Sequence, residues 1–337
     1  MLKGKTTIHD ISKALGIDSS TVSRALNNSP RVSNTTKAKI IAKAEELGYQ
    51  RNSLASNLRT NKTHTIGVVV PRISRNFFST VISGIEETAY EKGYNVLICQ
   101  SLESLEREKK IINTLVSNRV DGLLISISMQ TTSFEHFKPF SDYGAPIVFY
   151  DRPCNFEHCT NVTIDDFEAS FKATEHLILN GCKHIVHFGG PQAISLYQNR
   201  KKGYIAALKK HGLVFEDALC FENQLSAKDG DAMAKTILKM NKVDGIYSAN
   251  DTAAISALRY LKNNGVAVPE DIAIVGFNND PISAVIEPAL TTINQPDFEM
   301  GKQATTRLIT HIENKNGPTN SVILSSELLV RDSTKRF

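Results

Sequence analysis

Hydrophobic side chains recur at helical spacing in two short segments near the start of the chain, on either side of Gly16. They are Ile8, Ile11 and Leu15 in the first segment, and Val22 and Leu26 in the second. Thr7, with Asp10 three residues later, and Asp18 carry the side chains that commonly cap a helix N-terminus. The pattern therefore predicts two short helices joined by a tight turn.

A third segment of helical periodicity begins after Ser33 and ends at Gly48. Three helices of this size make a small core, so residues 1–51 are predicted to form a compact headpiece. Residues 52–63 follow with few apolar side chains, and a helix there should not be stable alone in water. We expect this stretch to be either a linker or a helix that forms only on binding.

Beyond residue 64 the pattern changes to short apolar runs that alternate with helical segments. The apolar runs, interpreted as strands, are residues 65–71, 94–100, 120–126, 145–151, 183–190, 243–249 and 271–277. Alternating strands and helices form parallel sheets covered on both faces, so the predicted fold class is α/β. The pattern restarts near residue 163, and Val-Asp-Gly occurs at both 120–122 and 243–245, a weak hint of two similar halves.

Basic charge is concentrated at the start of the chain. Residues 1–62 hold eleven Lys or Arg against four Asp or Glu, a net charge of +7, whereas the whole chain carries +4. The remaining residues therefore sum to −3. A small basic module beside a nearly neutral domain is typical of a protein that binds nucleic acid.

The second predicted helix has an outward face of small hydroxyl side chains around one arginine. These residues are Ser19, Ser20, Thr21, Ser23 and Arg24. Such a face allows close approach to phosphates and base edges, which favours insertion into the DNA major groove. The alternative is an ordinary helical hairpin, but a hairpin alone does not account for the charge asymmetry.

The order and spacing of these residues resemble the lactose-repressor/galactose-repressor (LacI/GalR) family of bacterial regulators. The matching segments are Asp10-Ile-x-Lys-Ala-Leu-Gly16, Ser20-Thr-Val-Ser-Arg24 and Leu47-Gly-Tyr-Gln-Arg-Asn52, followed by Ala55 and Leu58. The resemblance covers nearly all 337 residues. It implies a homodimeric transcription regulator, a repressor in most cases, that binds a palindromic double-stranded DNA operator and responds to a small-molecule effector. Arg51 departs from the Pro that the family usually has before the hinge.

By this resemblance the chain divides into a helix-turn-helix headpiece at 1–51, a hinge helix and linker at 52–63, and an effector-binding and dimerisation core at 64–337. The core is expected to be periplasmic-binding-protein-like, with parallel sheets in two subdomains. Their expected limits are about 64–163 and 294–326 for the N-subdomain, and about 164–292 and 327–337 for the C-subdomain. The implied DNA contacts are Thr7, Ser19, Ser20, Thr21, Ser23, Arg24, Asn27, Arg31, Asn52, Ala55 and Leu58.

The family's effector cleft corresponds here to Phe77, Phe78, Asp151, Arg200, Asn250 and Asn278. Carboxylate, amide and guanidinium groups beside aromatic rings suit a polyhydroxyl ligand, so we expect a carbohydrate: a sugar or sugar derivative. Asn278 stands where the family usually has Asp, and Leu225 where several relatives have an aromatic residue. Ile194 stands where purine-binding relatives have Arg, which favours a sugar over a nucleobase. Alternatively, some nearby polar residues, such as Asp251 and Asn279, only cap helices.

Enzyme and metal sites find little support in the sequence. No Gly-x-Gly-x-x-Gly follows a strand, and neither a Walker A run nor a Gly-x-Ser-x-Gly motif is visible. Residues 154–159 offer thiol, imidazole and carboxylate groups, but no second cluster has matching spacing, so a polar loop is the simpler interpretation. We expect no catalytic residue, no cofactor and no metal. A Rossmann-like enzyme with an N-terminal extension is the alternative class.

The sequence also favours a cytoplasmic protein that does not enter membranes. No signal peptide precedes the first predicted helix, and no 18-residue apolar run occurs. The five cysteines are scattered and odd in number, which fits a reducing compartment. A secreted binding protein is therefore disfavoured, as it is by the basic headpiece.

Overall fold

The structure is a computed structural model that describes residues 6–49, 62–156, 159–240, 242–314 and 320–335. The chain separates into two compact units, residues 1–63 and 64–337, which we call the headpiece and the core.

Three helices form the described part of the headpiece: α1 (Ile8–Leu15), α2 (Ser19–Leu26) and α3 (Asn34–Glu46). Their shared core consists of Ile11, Val22, Ala25, Val32, Ile40 and Ala44. Leu26, predicted to be the buried partner of Val22, is only partly buried, and Ala25 fills that place instead. The two-helix prediction on either side of Gly16 is confirmed, with Gly16 at a φ of +62° that favours glycine.

Short polar side chains begin each headpiece helix. The Asp10 carboxylate accepts hydrogen bonds from both the N–H and the hydroxyl of Thr7, each at 2.8 Å. Asp18 accepts from the N–H of Ser20 at 2.7 Å, and Ser33 accepts from the N–H of Thr36 at 3.3 Å. These bonds satisfy backbone donors that the first helical turn leaves free.

The core alternates strands and helices along its whole length. Its strands are β1 (Thr65–Val70), β2 (Asn95–Gln100), β3 (Gly122–Ile125), β4 (Ile147–Tyr150), β5 (Thr160–Ile164), β6 (Ile185–Gly189), β7 (Cys220–Glu222), β8 (Gly245–Ser248), β9 (Ala273–Phe277), β10 (Thr291–Asn294), β11 (Val322–Leu324) and β12 (Glu327–Leu329). Its α-helices are α4 (Asn76–Glu91), α5 (Leu105–Ser117), α6 (Lys138–Tyr143), α7 (Asp166–Leu179), α8 (Ser195–Lys210), α9 (Ala227–Ile237), α10 (Asp251–Asn263) and α11 (Asp297–Glu313).

The strands form two six-stranded sheets with the same internal order. The first runs β2-β1-β3-β4-β5-β11 and the second β7-β6-β8-β9-β10-β12. Every neighbouring pair is parallel except β10 with β12, which is antiparallel and departs from the purely parallel expectation. The chain changes sheet after Ile164, after Asn294, and between Leu324 and Glu327. The α/β architecture with two subdomains is thereby confirmed.

The repeated Val-Asp-Gly sequence occupies equivalent places in the two sheets. Gly122 begins β3 and Gly245 begins β8, each beside the first strand of its sheet. The preceding aspartates also act alike: Asp121 accepts from the N–H of His64 at 2.8 Å, and Asp244 accepts from the N–H of His184 at 2.8 Å. The repeat therefore marks two halves built on one plan.

Close helix packing sets the shape of each subdomain. At Gly84 of α4 an added Cβ would lie 2.2 Å from the carbonyl oxygen of Phe298, in α11. At Gly203 of α8 it would lie 2.3 Å from the carbonyl oxygen of Phe167, in α7. The absence of a side chain at these two positions lets the paired helices approach backbone to backbone. No helix in the described part of the chain is long and apolar enough to cross a membrane.

Candidate functional site

A cavity of about 480 Å³ opens between the two sheets of the core, where loops leave the carboxyl ends of the strands. Open α/β sheets bind their ligands at this edge. The six residues of the expected effector cleft all line it: Phe77, Phe78, Asp151, Arg200, Asn250 and Asn278. Its volume lies within the range of small-molecule sites.

Arg200 is buried, and its guanidinium is bonded within the protein. Its Nε donates to Oδ1 of Asp166 at 2.8 Å, and its Nη1 donates to the carbonyl of Ala249 at 2.7 Å. The guanidinium carbon lies 3.5 Å from the centre of the Phe277 ring. Burial raises the pKa of Asp166 to about 6, although the adjacent Arg200 lowers it in part. Arg200 is held in one position, and its Nη2 has no hydrogen bond to the described residues.

Asp151 follows β4 directly and has a φ of +64°. One carboxylate oxygen, Oδ2, accepts from the hydroxyl of Ser126 at 3.0 Å and lies 3.7 Å from Nε of Arg152. Burial raises the pKa of Asp151, and the nearby Arg152 and Arg200 offset this only in part. The other oxygen, Oδ1, accepts no hydrogen bond from the described part of the chain, so it suits a ligand hydroxyl.

A buried ion pair that the sequence reasoning missed supports this wall of the cavity. Arg152 donates from its two Nη atoms to the two carboxylate oxygens of Glu103, at 2.8 and 2.9 Å, and also to the carbonyl of Ile127 at 2.6 Å. Glu103 also accepts from the N–H of Met129 at 2.8 Å. Both members of the pair line the cavity. Arg152 adjoins Asp151 in sequence, but nothing in the local pattern identifies Glu103 as its partner.

The two amides of the expected cleft differ in their surroundings. Asn250 caps α10: its Oδ1 accepts from the N–H of Ala253 at 2.9 Å, and its Nδ2 donates to the carbonyl of Leu225 at 2.9 Å. Asn278 has a φ of +110°, and its Oδ1 accepts from Nε2 of Gln295 at 2.8 Å. Its Nδ2 has no partner among the described residues. Asn278 thus presents a donor where a carboxylate would present an acceptor.

Aromatic rings form the apolar side of the cavity. Phe77 and Phe78 begin α4 and meet edge to face, with ring centres 5.1 Å apart. Tyr197, from the first turn of α8, lines the cavity from the other subdomain and was not predicted. Such rings stack well on the apolar faces of a sugar ring.

Three residues considered beside the expected cleft, Leu225, Asp251 and Asn279, have other surroundings than those considered for them. Leu225 does not line the cavity: its left-handed φ of +53° turns the side chain into the core, and its neighbours Gln224 and Ser226 line the wall instead. Asp251 and Asn279 do not cap helices. The Asp251 carboxylate, fully buried, accepts from the hydroxyl of Thr292 and the N–H of Asp280, both at 2.7 Å. Asn279 instead bonds Asn294 and Arg331.

The residues predicted to contact DNA in the headpiece lie mostly on its surface. Ser20, Arg24 and Asn27 of the α2 region are exposed, as are Thr7 and Arg31, whereas Ser19, Thr21 and Ser23 are partly buried. The Ser19 hydroxyl is hydrogen-bonded to Nδ1 of His9 at 3.1 Å, which ties α2 to α1. Arg24 has no hydrogen bond or salt bridge to the described residues. Its guanidinium is therefore available to a partner.

The hinge predictions lie outside the described residues. They concern Asn52, Ala55 and Leu58. The loop from Cys154 to Cys159 is described only in part, because Glu157 and His158 also lie outside. Burial raises the pKa of the Cys154 thiol to about 12 and also raises that of Cys159, which disfavours the thiolate form that metals bind.

Two family models match consecutive parts of the chain. Residues 7–52 match the bacterial regulatory proteins of the lacI family, and residues 63–331 match the periplasmic binding proteins and sugar-binding domain of the LacI family. This chain belongs to the LacI family.

Full-length relatives agree with that assignment. The chain is 33% identical over 335 residues to the NTD biosynthesis operon regulator NtdR of Bacillus subtilis, covering 97% of this chain and 99% of the relative. It is 30% identical over 331 residues to the ribose operon repressor of Halalkalibacterium halodurans, covering 98% of this chain and 97% of the relative. Similar proteins of this family are thus transcriptional regulators rather than enzymes.

Solved structures of LacI-family proteins share the fold. A complex of the transcriptional regulator CelR with cellobiose has a TM-score of 0.75 and 27% identity, covering 98% of this chain and all of that one. A LacI-family regulator from Enterococcus faecium with bound ribose has a TM-score of 0.72 and 26% identity, covering 80% and 98%. The lac repressor dimer bound to operator and the anti-inducer ONPF has a TM-score of 0.86 and 23% identity, covering 98% of this chain and 99% of that one.

Proposed function

We propose that this LacI-family regulator is a repressor that binds its operator as a homodimer and changes its operator affinity when a sugar or sugar derivative enters the core cavity. The observation that carries the proposal is the convergence of Asp151, Arg200 and Asn278 with Phe77 and Phe78 on one cavity of about 480 Å³. Polar groups beside aromatic rings are the chemistry that recognises a polyhydroxyl ligand. The protein binds this ligand without converting it, and it works in the cytoplasm, where its DNA lies.

The DNA-binding part of the proposal rests on the headpiece. Helix α2 would enter the major groove, with Ser20 and the unpaired Arg24 reaching bases or phosphates. The residues that bind DNA are proposed to be those expected from the sequence, including Asn52, Ala55 and Leu58 in the hinge. A symmetric dimer would place two headpieces on two half-sites, so the operator should be a palindrome.

The effector part of the proposal draws on two solved relatives. One was solved with cellobiose and another with ribose. In this chain the free Oδ1 of Asp151 would accept from a hydroxyl, and Nη2 of Arg200 would donate to a neighbouring oxygen. The two sites would be coupled by a free energy of ~1–3 kcal/mol, which is typical of such switches.

A ligand screen tests the effector site directly. Purified full-length protein is heated with a panel of sugars and metabolites, because a ligand that binds the folded state raises the melting temperature. We expect a carbohydrate to raise it, and Arg200→Ala to abolish that rise. A carbohydrate that stabilises the Arg200→Ala protein with unchanged affinity would show that the cavity is not the effector site.

The operator is obtained by selecting tight binders from randomised double-stranded DNA. We expect palindromes with a central pyrimidine–purine step, because Leu58 from two hinges would wedge there and such steps unstack most easily. Leu58→Ala should weaken specific binding far more than non-specific binding. Residues 52–60 should exchange their amide hydrogens freely without operator and slowly with it. Slow exchange in the free protein would contradict coupled folding of the hinge.

A further inference from the structure

Four arginines line the core cavity: Arg72, Arg75, Arg152 and Arg200. Two of them are neutralised inside the protein. Arg152 forms a two-point ion pair with Glu103, and Arg200 forms an ion pair with Asp166 through its Nε alone. The other two lie on the loop between β1 and α4, three positions apart. Neither forms a salt bridge within the described residues.

The surroundings of this arginine pair leave most of its hydrogen-bond donors free for a ligand. Arg72 is exposed and close enough to Glu103 to lower the pKa of that carboxyl, but both Glu103 oxygens are bonded to Arg152. Arg75 donates one hydrogen bond, from Nη1 to the hydroxyl of Thr252, and it is close enough to Asp280, which also lines the cavity, to offset in part the rise that burial causes in the pKa of that carboxyl. That bond joins the two sides of the cavity and uses only one of the five guanidinium N–H groups.

The first turn of α4 adds backbone donors at the same place. Arg75 is its N-cap residue, no side chain caps the helix, and no acidic residue lies in its first turn. The N–H groups of residues 76–78 have no hydrogen bonds to the described residues. The helix is 16 residues long, so its N-terminus carries the partial positive charge that favours anions.

Two buried side-chain atoms of cavity-lining residues have no hydrogen bond to the described residues, although one of them, Nε of Arg152, lies 3.7 Å from Oδ2 of Asp151. They are Nε of Arg152 and Oε1 of Gln295, in side chains that are about 4% exposed. Buried polar atoms are nearly always hydrogen-bonded, so both residues retain hydrogen-bonding capacity that the described residues do not use. The wall of the cavity is therefore polar, as a charged and hydroxylated ligand requires.

We propose that the effector is an anionic sugar derivative whose phosphate or carboxylate binds Arg72, Arg75 and the first turn of α4, while its hydroxyls meet Asp151, Arg200 and Asn278. The inference rests on the proposed sugar-effector function and narrows the ligand class. Arginine is suited to this task because its planar fork of donors matches both phosphate and carboxylate oxygens.

The test compares neutral sugars with their charged counterparts by titration calorimetry on the full-length protein. The panel is ribose with ribose 5-phosphate, and glucose with glucose 6-phosphate and gluconate, with inorganic phosphate alone at matched ionic strength. We expect at least one charged member to bind at least tenfold more tightly than its neutral parent. Tighter binding by the phosphates than by gluconate, or the reverse, identifies the anionic group.

Substitutions of Arg72 and Arg75 test whether these two side chains cause the preference for a charged ligand. Arg72→Gln and Arg75→Gln should each weaken binding of the charged ligand at least tenfold and bring it towards that of the neutral parent. Arg107→Gln is the matched control, because it removes one positive charge from an exposed position of α5 outside the cavity. Melting temperatures without ligand check that all three variants fold.

Each other outcome contradicts the proposal in a distinguishable way. A neutral sugar that binds as tightly as its charged counterpart would overturn the anionic preference and leave the sugar effector standing. Binding of inorganic phosphate with no gain from an attached sugar would indicate an adventitious ion only. A panel in which no sugar binds would contradict the sugar effector as well.

Discussion

The headpiece and the core present their candidate residues in opposite ways. On α2, Ser20 and Arg24 are exposed, and Arg24 has no hydrogen bond or salt bridge within the described residues. In the cavity, Arg200 is 3% exposed and is bonded to both Asp166 and Ala249. An exposed residue such as Arg24 takes up a fixed conformation only when its partner binds. A buried, hydrogen-bonded residue such as Arg200 is held in place before the ligand arrives.

This contrast separates the two kinds of mutational effect. Removing a side chain from α2 should weaken DNA binding and leave folding almost unchanged. Removing a charged side chain from the cavity should affect folding and ligand binding together, because it leaves a buried partner without its counterion. Experiments on the core therefore need a companion variant that restores folding.

The largest expected effect is that of Arg200→Ala, which leaves the carboxylate of Asp166 buried without its ion pair. Breaking such a pair costs about 3–5 kcal/mol of unfolding free energy. Urea unfolding measures this loss, and calorimetry should show no effector binding. The double variant Arg200→Ala with Asp166→Asn should recover much of the stability but none of the binding. Recovery of both would mean that Arg200 has only a structural role.

Asp251 in the core and the capping aspartates of the headpiece should affect stability with opposite dependence on pH. Burial raises the pKa of Asp251 in the core to about 7 from its ordinary 3.8. Between these pH values the folded state keeps a proton that the unfolded state has lost, so this group makes the core less stable as pH rises from 4 to 7. The full effect is roughly 4 kcal/mol by linkage.

Asp251→Asn should remove most of that dependence, because the amide carries no charge at any pH. Urea unfolding at pH 5 and pH 8, followed by circular dichroism, compares this variant with wild type. Asp142→Asn, at an exposed position, is the control. Equal slopes of stability against pH for wild type and Asp251→Asn would contradict the raised pKa of Asp251.

In the headpiece, hydrogen bonds from Thr7 and Ser20 lower the pKa values of Asp10 and Asp18. The stability that these two carboxylates contribute is therefore lost only as pH falls below about 4.

Arg24→Ala should have an intermediate effect, confined to DNA binding. We expect specific operator binding to weaken by about 1–3 kcal/mol, with no change in melting temperature. Lys39→Ala, at an exposed position of α3, removes the same charge and serves as the control. Mobility shifts with operator and with random DNA measure both variants. Unchanged specific binding in the Arg24→Ala protein would remove this residue from the interface.

The smallest expected effect is that of Ser33→Ala, which removes the acceptor for the N–H of Thr36 at the start of α3. Loss of such a cap costs about 1 kcal/mol of helix stability. Amide exchange should therefore become faster in α3 and stay unchanged in α10, which lies in the other unit. Faster exchange in both helices would show that the two units do not unfold independently.

Sequence patterns identified most of the fold because apolar spacing reports directly on buried faces. The missed strand β5 has the sequence Thr-Asn-Val-Thr-Ile, which carries too few apolar residues to be recognised although four of its five positions are buried. Strand β12 pairs antiparallel with β10 because the chain returns to the second sheet directly after β11. No local sequence pattern encodes that change of sheet. Pairings such as Glu103 with Arg152 also depend on the fold, since 49 positions separate them.

The candidate cleft residues were found through family resemblance, and what they do in this chain required the structure. Asn250 is identifiable as a cleft residue, but its role in capping α10 depends on the hydrogen bond to Ala253. The side chain of Leu225 points into the core because of a backbone conformation that the sequence does not reveal. Arg72 and Arg75 belong to a loop whose position beside the cavity depends on where β1 ends.

The central claim is that the cavity and the operator site are coupled, and one reciprocal measurement tests it. Operator affinity is measured by fluorescence anisotropy with and without a saturating concentration of the best ligand from the screen, and ligand affinity is measured with and without operator. We predict that both constants change by the same factor, between about 5-fold and 150-fold, for wild type. Operator affinity that does not change with saturating ligand would contradict the account.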